Sequence, residues 1–148
     1  MKIQIINAVN LNLIGVRDPQ LYGPRRFEPF LEELRQQYPA VQLDYFQSNV
    51  EGEIVNKLQE VGFDYDGIIF NPGAFSHYSY ALADMVASVT APVLEVHLLN
   101  PATLDASRPP SLTAKGSRGV LAGLGLAGYR FALESLLHPE WPVAASPA

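Results

Sequence analysis

Between Gly67 and Asp84 the chain runs Gly-Ile-Ile-Phe-Asn-Pro-Gly-Ala-Phe-Ser-His-Tyr-Ser-Tyr-Ala-Leu-Ala-Asp. The opening residues are an apolar run with β-branched and aromatic side chains, the pattern of a strand buried on both faces. Asn71-Pro72-Gly73 breaks that run, and helical spacing resumes beyond it. A buried strand that turns at once into a helix is the repeating unit of a parallel α/β sheet, whose ligands bind at the carboxyl ends of the strands. Asn71, Ser76 and His77 place a carboxamide, a hydroxyl and an imidazole at that end. Singly, each also fits a turn asparagine, a helix-capping serine and a surface histidine. Together they mark a candidate site.

The same alternation recurs along the chain. Lys2 to Asn7 reads as a first strand. Ala8 to Gly23 is a long connection with two glycines and a proline; loops of more than about 12 residues in a compact domain are usually functional or disordered, and the apolar residues here argue against disorder. A mobile lid carrying Arg17 and Tyr22 is expected. Phe27, Phe30, Leu31 and Leu34 have the spacing of an amphipathic helix over Arg25–Tyr38. Val41–Phe46 is a second strand, and Ile54, Val55 and Leu58 mark a second helix with Ser48 or Asn49 as its cap and Glu51 in its first turn.

A third helix carries Leu82, Met85, Val86 and Val89 inward, with Asp84 pointing elsewhere. Ala91–His97 is a fourth strand in which alternation puts Glu95 and His97 on one side. That pair is open to two readings, an oriented and charged imidazole or a structural contact. A second long connection, Leu98–Ser117, contains Arg108. Gly119–Ala122 is a short fifth strand, and Leu126, Tyr129, Leu133, Leu136 and Leu137 stripe a last helix. Gly123 to Gly128 fits G-x-G-x-x-G, but no βαβ unit follows it to make a dinucleotide site.

Five strands alternating with four helices predict a flavodoxin-like parallel sheet in the order 2-1-3-4-5, helices on both faces, with a switch point between strands 1 and 3. The 148 residues form one domain, residues 1–138, followed by a loose Pro- and Ala-rich tail from Pro139 to Ala148. A net charge of -5 with ten scattered Lys and Arg argues against a nucleic-acid partner. Apolar runs of strand length, and polar residues interleaved at the start, argue against a membrane partner or signal peptide. The absence of cysteine fits the cytoplasm and removes thiolate metal sites, and three histidines make a metal site improbable. Small anions remain candidate partners, because one or two loop arginines can hold a carboxylate.

Asn10, Arg17, Tyr22, Asn71, His77, His97 and Arg108 all fall on loops at one edge of such a sheet. With Asn10-Leu11-Asn12-Leu13-Ile14-Gly15, Pro19, Gln47-Ser48-Asn49-Val50-Glu51-Gly52, Asn71-Pro72-Gly73-Ala74-Phe75-Ser76-His77, Glu95-Val96-His97, Gly123-Leu124-Gly125 and Gly128-Tyr129, this set resembles the type II 3-dehydroquinate dehydratase family from Lys2 to about Leu137.

The resemblance implies a lyase of the shikimate or quinate pathway that removes water from 3-dehydroquinate by anti elimination through an enolate, giving 3-dehydroshikimate without metal or organic cofactor. Tyr22 would be the base. A free tyrosine titrates near pH 10, so ionising it near neutrality costs about 4 kcal/mol, and Arg17 would offset part of that. The residue-level alternative for Tyr22 is a loop anchor packed by its ring. His97 would protonate the departing hydroxyl with Glu95 holding it charged, and Asn10 would bind a water near the enolate oxygen. Asn71, His77 and Asp84 would hold the ring hydroxyls, the backbone N–H groups of Leu98 and Leu99 the carboxylate, and Arg108 would close over the substrate. The family's habit also implies a homododecamer, a tetramer of trimers.

Four places depart from the family pattern: Ala8-Val9 replace Gly-Pro, Ala83 an arginine, Leu99 a serine and Leu104-Asp105 an Arg-Glu pair. A lost serine hydroxyl removes a hydrogen bond worth up to about 3 kcal/mol to a charged partner. Weakened binding or altered assembly is therefore expected, and the competing reading is a weak or silent relative that binds a quinate-like small carboxylate. A flavin or phospho-receiver module is disfavoured, since Ala8-Val9-Asn10-Leu11 has neither a hydroxyl-rich phosphate loop nor acidic residues.

Overall fold

The computed structural model describes residues 1–141 of the chain. Of the tail expected from Pro139, residues 142–148 lie outside the described residues. Five strands, β1 (Lys2–Asn7), β2 (Gln42–Gln47), β3 (Gly67–Asn71), β4 (Val93–His97) and β5 (Gly119–Ala122), pair in parallel in the order β2-β1-β3-β4-β5. This is the expected flavodoxin-like order. The chain leaves β1 for one edge, returns past it to β3, and so opens a crevice where the two loops diverge.

Among the described residues the four expected helices, α2 (Phe27–Gln37), α3 (Glu51–Val61), α4 (Tyr80–Ser88) and α5 (Ala127–Leu137), cover the sheet, and a fifth of one turn, α1 (Pro19–Tyr22), lies in the connection after β1 with no buried residue. Side-chain alternation along the strands separates two cores. Ile3, Ile5, Ile69, Leu94 and Val96 pack with α2 and α5, whereas Ile6, Ile68, Phe70 and Val93 pack with α3 and α4. Burial on both faces explains why the strands read as near-continuous apolar runs.

The caps differ from the expected ones. Val50 precedes α3, and no side chain caps it. Ser48 instead accepts the Val50 N–H at 3.0 Å and pairs with Glu53, a turn that aims the chain into α3. Asn49 is turned away to another loop. At α4 the capping serine is Ser79, whose Oγ accepts the Leu82 N–H at 3.0 Å, while Ser76 is buried in the preceding 3₁₀ turn Gly73–His77.

The long connection after β1 folds into a 3₁₀ turn, Leu11–Leu13, followed by α1, and Tyr22 packs against the α2–α5 core. Gly15 is where this connection meets the entry to α2. Its φ of +87° favours glycine, and a Cβ there would lie 2.8 Å from Arg26 N and 2.9 Å from the Arg25 carbonyl carbon. Gly23, with φ +93°, has nothing within 4 Å of that position. Gly23→Ala should therefore cost only backbone strain, about 1–3 kcal/mol, and Gly15→Ala distinctly more. Thermal melting of the two variants checks this; equal shifts would show that the contact with Arg25 and Arg26 carries no cost.

Candidate active site

A cleft of about 180 Å³ opens at the carboxyl ends of β1, β3 and β4. A cavity of about 150 Å³ accommodates benzene, so this one suits a single small ring rather than a nucleotide. Asn10, Arg17, Tyr22, Asn71, His77, His97 and Arg108 all line it, joined by Leu98 and Leu99. Residues spread over almost a hundred positions are brought together because the strand ends, and not the strands' length, carry them.

The β1 loop supplies Asn10, Arg17 and Tyr22. Asn10 has φ +69°, a left-handed conformation that asparagine tolerates better than most residues. Its N–H donates to Asn49 Oδ1 at 2.8 Å, and Gln47 Nε2 donates to the Ala8 carbonyl at 3.2 Å. The Gln47-Ser48-Asn49 segment is thus a brace on the neighbouring loop. Arg17 is exposed, with its guanidinium carbon 5.2 Å from the centroid of the Tyr22 ring, over the ring face. The Tyr22 ring itself is half-buried, so a packed anchor and a cleft-facing phenol are compatible roles.

The β4 end supplies His97. Glu95, fully buried and two residues earlier, stands behind it and does not line the cleft. Glu95 Oε2 lies 3.1 Å from His97 Nε2, an ion-pair distance without hydrogen-bond alignment. Ser111 Oγ donates toward both oxygens of Glu95, at 2.8 and 3.1 Å, and the Thr113 hydroxyl also donates to it. A carboxyl taken out of water needs such partners. The same segment reaches the second imidazole, since the Pro109 carbonyl accepts from His77 Nδ1 at 2.6 Å. A carbonyl can only accept, so the proton sits on Nδ1, and Nε2 of neutral His77 is free to accept from a ligand hydroxyl.

The β3 end supplies Asn71, which is 2% exposed. Its Nδ2 donates to the Tyr129 hydroxyl at 2.9 Å and its Oδ1 accepts the Gly73 N–H at 3.1 Å. Tyr129 in turn donates to Asn7 Oδ1 at 2.7 Å. Arg108 is exposed on the connection after β4, beside Asp105, whose carboxyl is held below its usual range mainly by hydrogen bonds from Ser107, with a smaller contribution from Arg108.

Asp84 is the expected site residue that the fold leaves outside. It is exposed on α4 and does not line the cleft, because the inward face of that helix is taken by Leu82 and Val86. The residues missed by sequence reasoning are Asn7, Ser111 and Thr113. One signal pointed to Asn7: both β1 and β3 end in two apolar residues and an asparagine, and Asn7 pairs with Asn71 in the sheet register.

A family model described as dehydroquinase class II matches residues 1–137. The chain belongs to the class II dehydroquinases. Among curated relatives, the 3-dehydroquinate dehydratase of Bacillus licheniformis is 44% identical over 138 residues, covering 92% of this chain and 95% of the relative. That of Helicobacter acinonychis is 45% identical over 143 residues, covering 93% and 85%. Among solved structures, the type II dehydroquinase of Butyrivibrio crossotus superposes with a TM-score of 0.87 at 38% identity, covering 93% of this chain and 97% of that one. The 3-dehydroquinate dehydratase-like protein of Bifidobacterium longum gives a TM-score of 0.66 at 25% identity, covering 93% and 96%.

Within this dehydroquinase fold the two hydroxyls on Glu95 are the main compensation for burying its carboxyl. Thr113→Val keeps the shape and removes one donor, leaving that oxygen short of a partner. The cost should be about 1–3 kcal/mol, read as a lower urea midpoint with an unchanged slope. A midpoint equal to wild type would show that Ser111 alone suffices.

Proposed function

We propose that the chain is a 3-dehydroquinate dehydratase that forms 3-dehydroshikimate by anti elimination through an enolate. The observation that carries this reading is the pairing across one cleft of a phenol under a guanidinium, Tyr22 and Arg17, with an imidazole backed by a carboxyl, His97 and Glu95. One side can take a proton while the other delivers one, which is what a stepwise loss of water requires.

Tyr22, as phenolate, removes the proton beside the ketone, and the electron pair moves into the carbonyl to give the enolate. Arg17, with its guanidinium over the Tyr22 ring, is the cation beside that base. Asn10 holds a water against the enolate oxygen, where charge develops. As the enolate collapses, the hydroxyl departs with a proton from His97 and leaves as water. With Nε2 of His97 facing Glu95, Nδ1 is the nitrogen left to deliver that proton. A proton transfer from Tyr22 back to His97 resets the site. Asn71 and His77 hold ring hydroxyls. The carboxylate is met by the backbone N–H groups of Leu98 and Leu99 and by Arg108 closing over it, since Leu99 brings no hydroxyl.

Residues 1–138 act as the one catalytic domain, and the cysteine-free composition fits a cytoplasmic enzyme. Asp84 is assigned to the ring hydroxyls of a neighbouring copy's site, because it does not line its own cleft. A homododecamer, a tetramer of trimers, supplies that neighbour.

Two measurements test these assignments. Incubation with 3-dehydroquinate should give rising enone absorbance, and Tyr22→Phe should lower kcat by about 10²-fold or more with the fold unchanged. Folded wild-type protein that yields no product would abandon the reaction, and a rate insensitive to Tyr22→Phe would abandon the base. Light scattering should give the mass of twelve chains; an active monomer would remove Asp84 from the site.

A further inference from the structure

We propose that Tyr129 is a positioning residue for substrate recognition: its hydroxyl, backed by Asn7, fixes the plane and the hydrogen-bonding sense of the Asn71 carboxamide in the cleft. The inference rests on the reading of Asn71 as a contact to a substrate hydroxyl.

The polarity of this chain of groups is settled by what each can do. The amide oxygen of Asn7 only accepts, so the single proton of the Tyr129 hydroxyl goes to it, across 2.7 Å. A lone pair of Tyr129 then faces Asn71, which answers with an Nδ2 proton across 2.9 Å. On the other side the Gly73 N–H only donates, so it meets Asn71 Oδ1 at 3.1 Å. The two constraints agree, and neither leaves the amide free to flip. One Nδ2 proton and one Oδ1 lone pair remain for a ligand, so Asn71 presents a fixed donor and a fixed acceptor side by side.

The proton on Tyr129 is permanent under working conditions. Its side chain is completely buried, and desolvation holds the hydroxyl far above the ordinary tyrosine range. Tyr45, at 3.5 Å from Asn7 Nδ2, is pushed up to about 12, mainly by burial. Both phenols therefore stay neutral, and the relay does not switch with pH.

Tyr129 also does something a packed ring alone does not. Its ring meets Phe27 edge-on at 4.9 Å between centroids and Phe30 at 6.2 Å, contacts that a phenylalanine would keep. Removing only the hydroxyl separates core packing from amide positioning. With one anchor left, the Asn71 amide swings about its bond to Gly73, and a site that reads a hydroxyl by two fixed groups loses discrimination.

The test is a double-mutant cycle on purified full-length protein with 3-dehydroquinate as the probe. Tyr129→Phe should raise KM about tenfold and leave kcat within about twofold. Asn71→Ala should raise KM at least as much, and Tyr129→Phe/Asn71→Ala should match Asn71→Ala alone, because the hydroxyl acts only through the amide. If Asn71→Ala leaves KM unchanged, the assignment of Asn71 to substrate fails, and the positioning role falls with it. If Asn71→Ala raises KM and Tyr129→Phe does not, the positioning role alone is overturned. An effect of Tyr129→Phe that persists in full on the Asn71→Ala background overturns it as well. Should Tyr129→Phe not fold, Asn7→Ala takes its place in the same cycle, with the same expected KM rise and the same overturning results.

Discussion

The parallel pairing of β1 with β3 is the constraint from which the rest of this molecule follows. It sets Asn7 opposite Asn71 at the last rung of the ladder, with Ile5 opposite Ile69 two rungs below. Beyond that rung the two chains separate, one toward β2 and the other into a 3₁₀ turn. A slip of one residue would exchange the faces of β1 and place Ile6 where Ile5 belongs, so the apolar pattern on both sides holds the register. Two asparagines are then buried side by side with their amide groups unspent. The α5 hydroxyl of Tyr129 bridges the two, donating to Asn7 and accepting from Asn71, and so a helix on one face of the sheet is tied to the mouth of the crevice.

A second buried polar group sits at the end of the neighbouring strand. Glu95 occupies a position where β4 is otherwise apolar, and leaving it without partners would cost several kcal/mol. Ser111, Thr113 and His97 share that load. The sheet therefore ends in two polar clusters, one neutral and one acidic, and the cleft lies between them. Asn71 from the first cluster and His97 from the second both line that cleft.

What was legible in the sequence, and what was not, follows from the range of the forces involved. Strand and helix positions are written in local periodicity, which is why α2 and β5 fall within two residues of their expected bounds and why the sheet order follows from the alternation of elements. Seven polar residues could be assigned to one edge because each lies at the carboxyl end of a strand, as Asn71 and His97 do, or on the connection that leaves it. The caps of α3 and α4 were misplaced because a serine or asparagine before a helix has several acceptable partners, and tertiary contacts decide among them. Ser48 chose Glu53 and Asn49 chose the Asn10 N–H. Ser111 and Thr113 carried no local signal, since a hydroxyl in a proline-rich connection reads as a turn until a buried carboxyl is found beneath it. Asp84 was assigned by resemblance alone, and in the single chain it is exposed on α4 and does not line the cleft.

The same segment that satisfies Glu95 also restrains the connection that carries Arg108. Pro109 holds His77, the Leu112 N–H donates to the Ser76 carbonyl at 2.7 Å, and Ser111 and Thr113 hold Glu95. Four successive anchors therefore begin immediately after Arg108. Arg108 therefore leaves the backbone one residue before a fixed point, and its side chain lines the cleft. At the other end of the connection, Asn100 caps the turn Pro101–Thr103 through the Ala102 N–H. Between Thr103 and Arg108 the hydrogen bonds are local, the Ser107 N–H to Asp105 Oδ1 at 2.9 Å and the Arg108 N–H to the Asp105 carbonyl at 3.0 Å, and Leu104 also lines the cleft. The closure proposed for Arg108 over a small carboxylate would then order only a few residues, at about 1–2 kcal/mol each for the backbone. In that proposal a charge-assisted contact from Arg108 would offset much of that cost even though Leu99 contributes no hydroxyl.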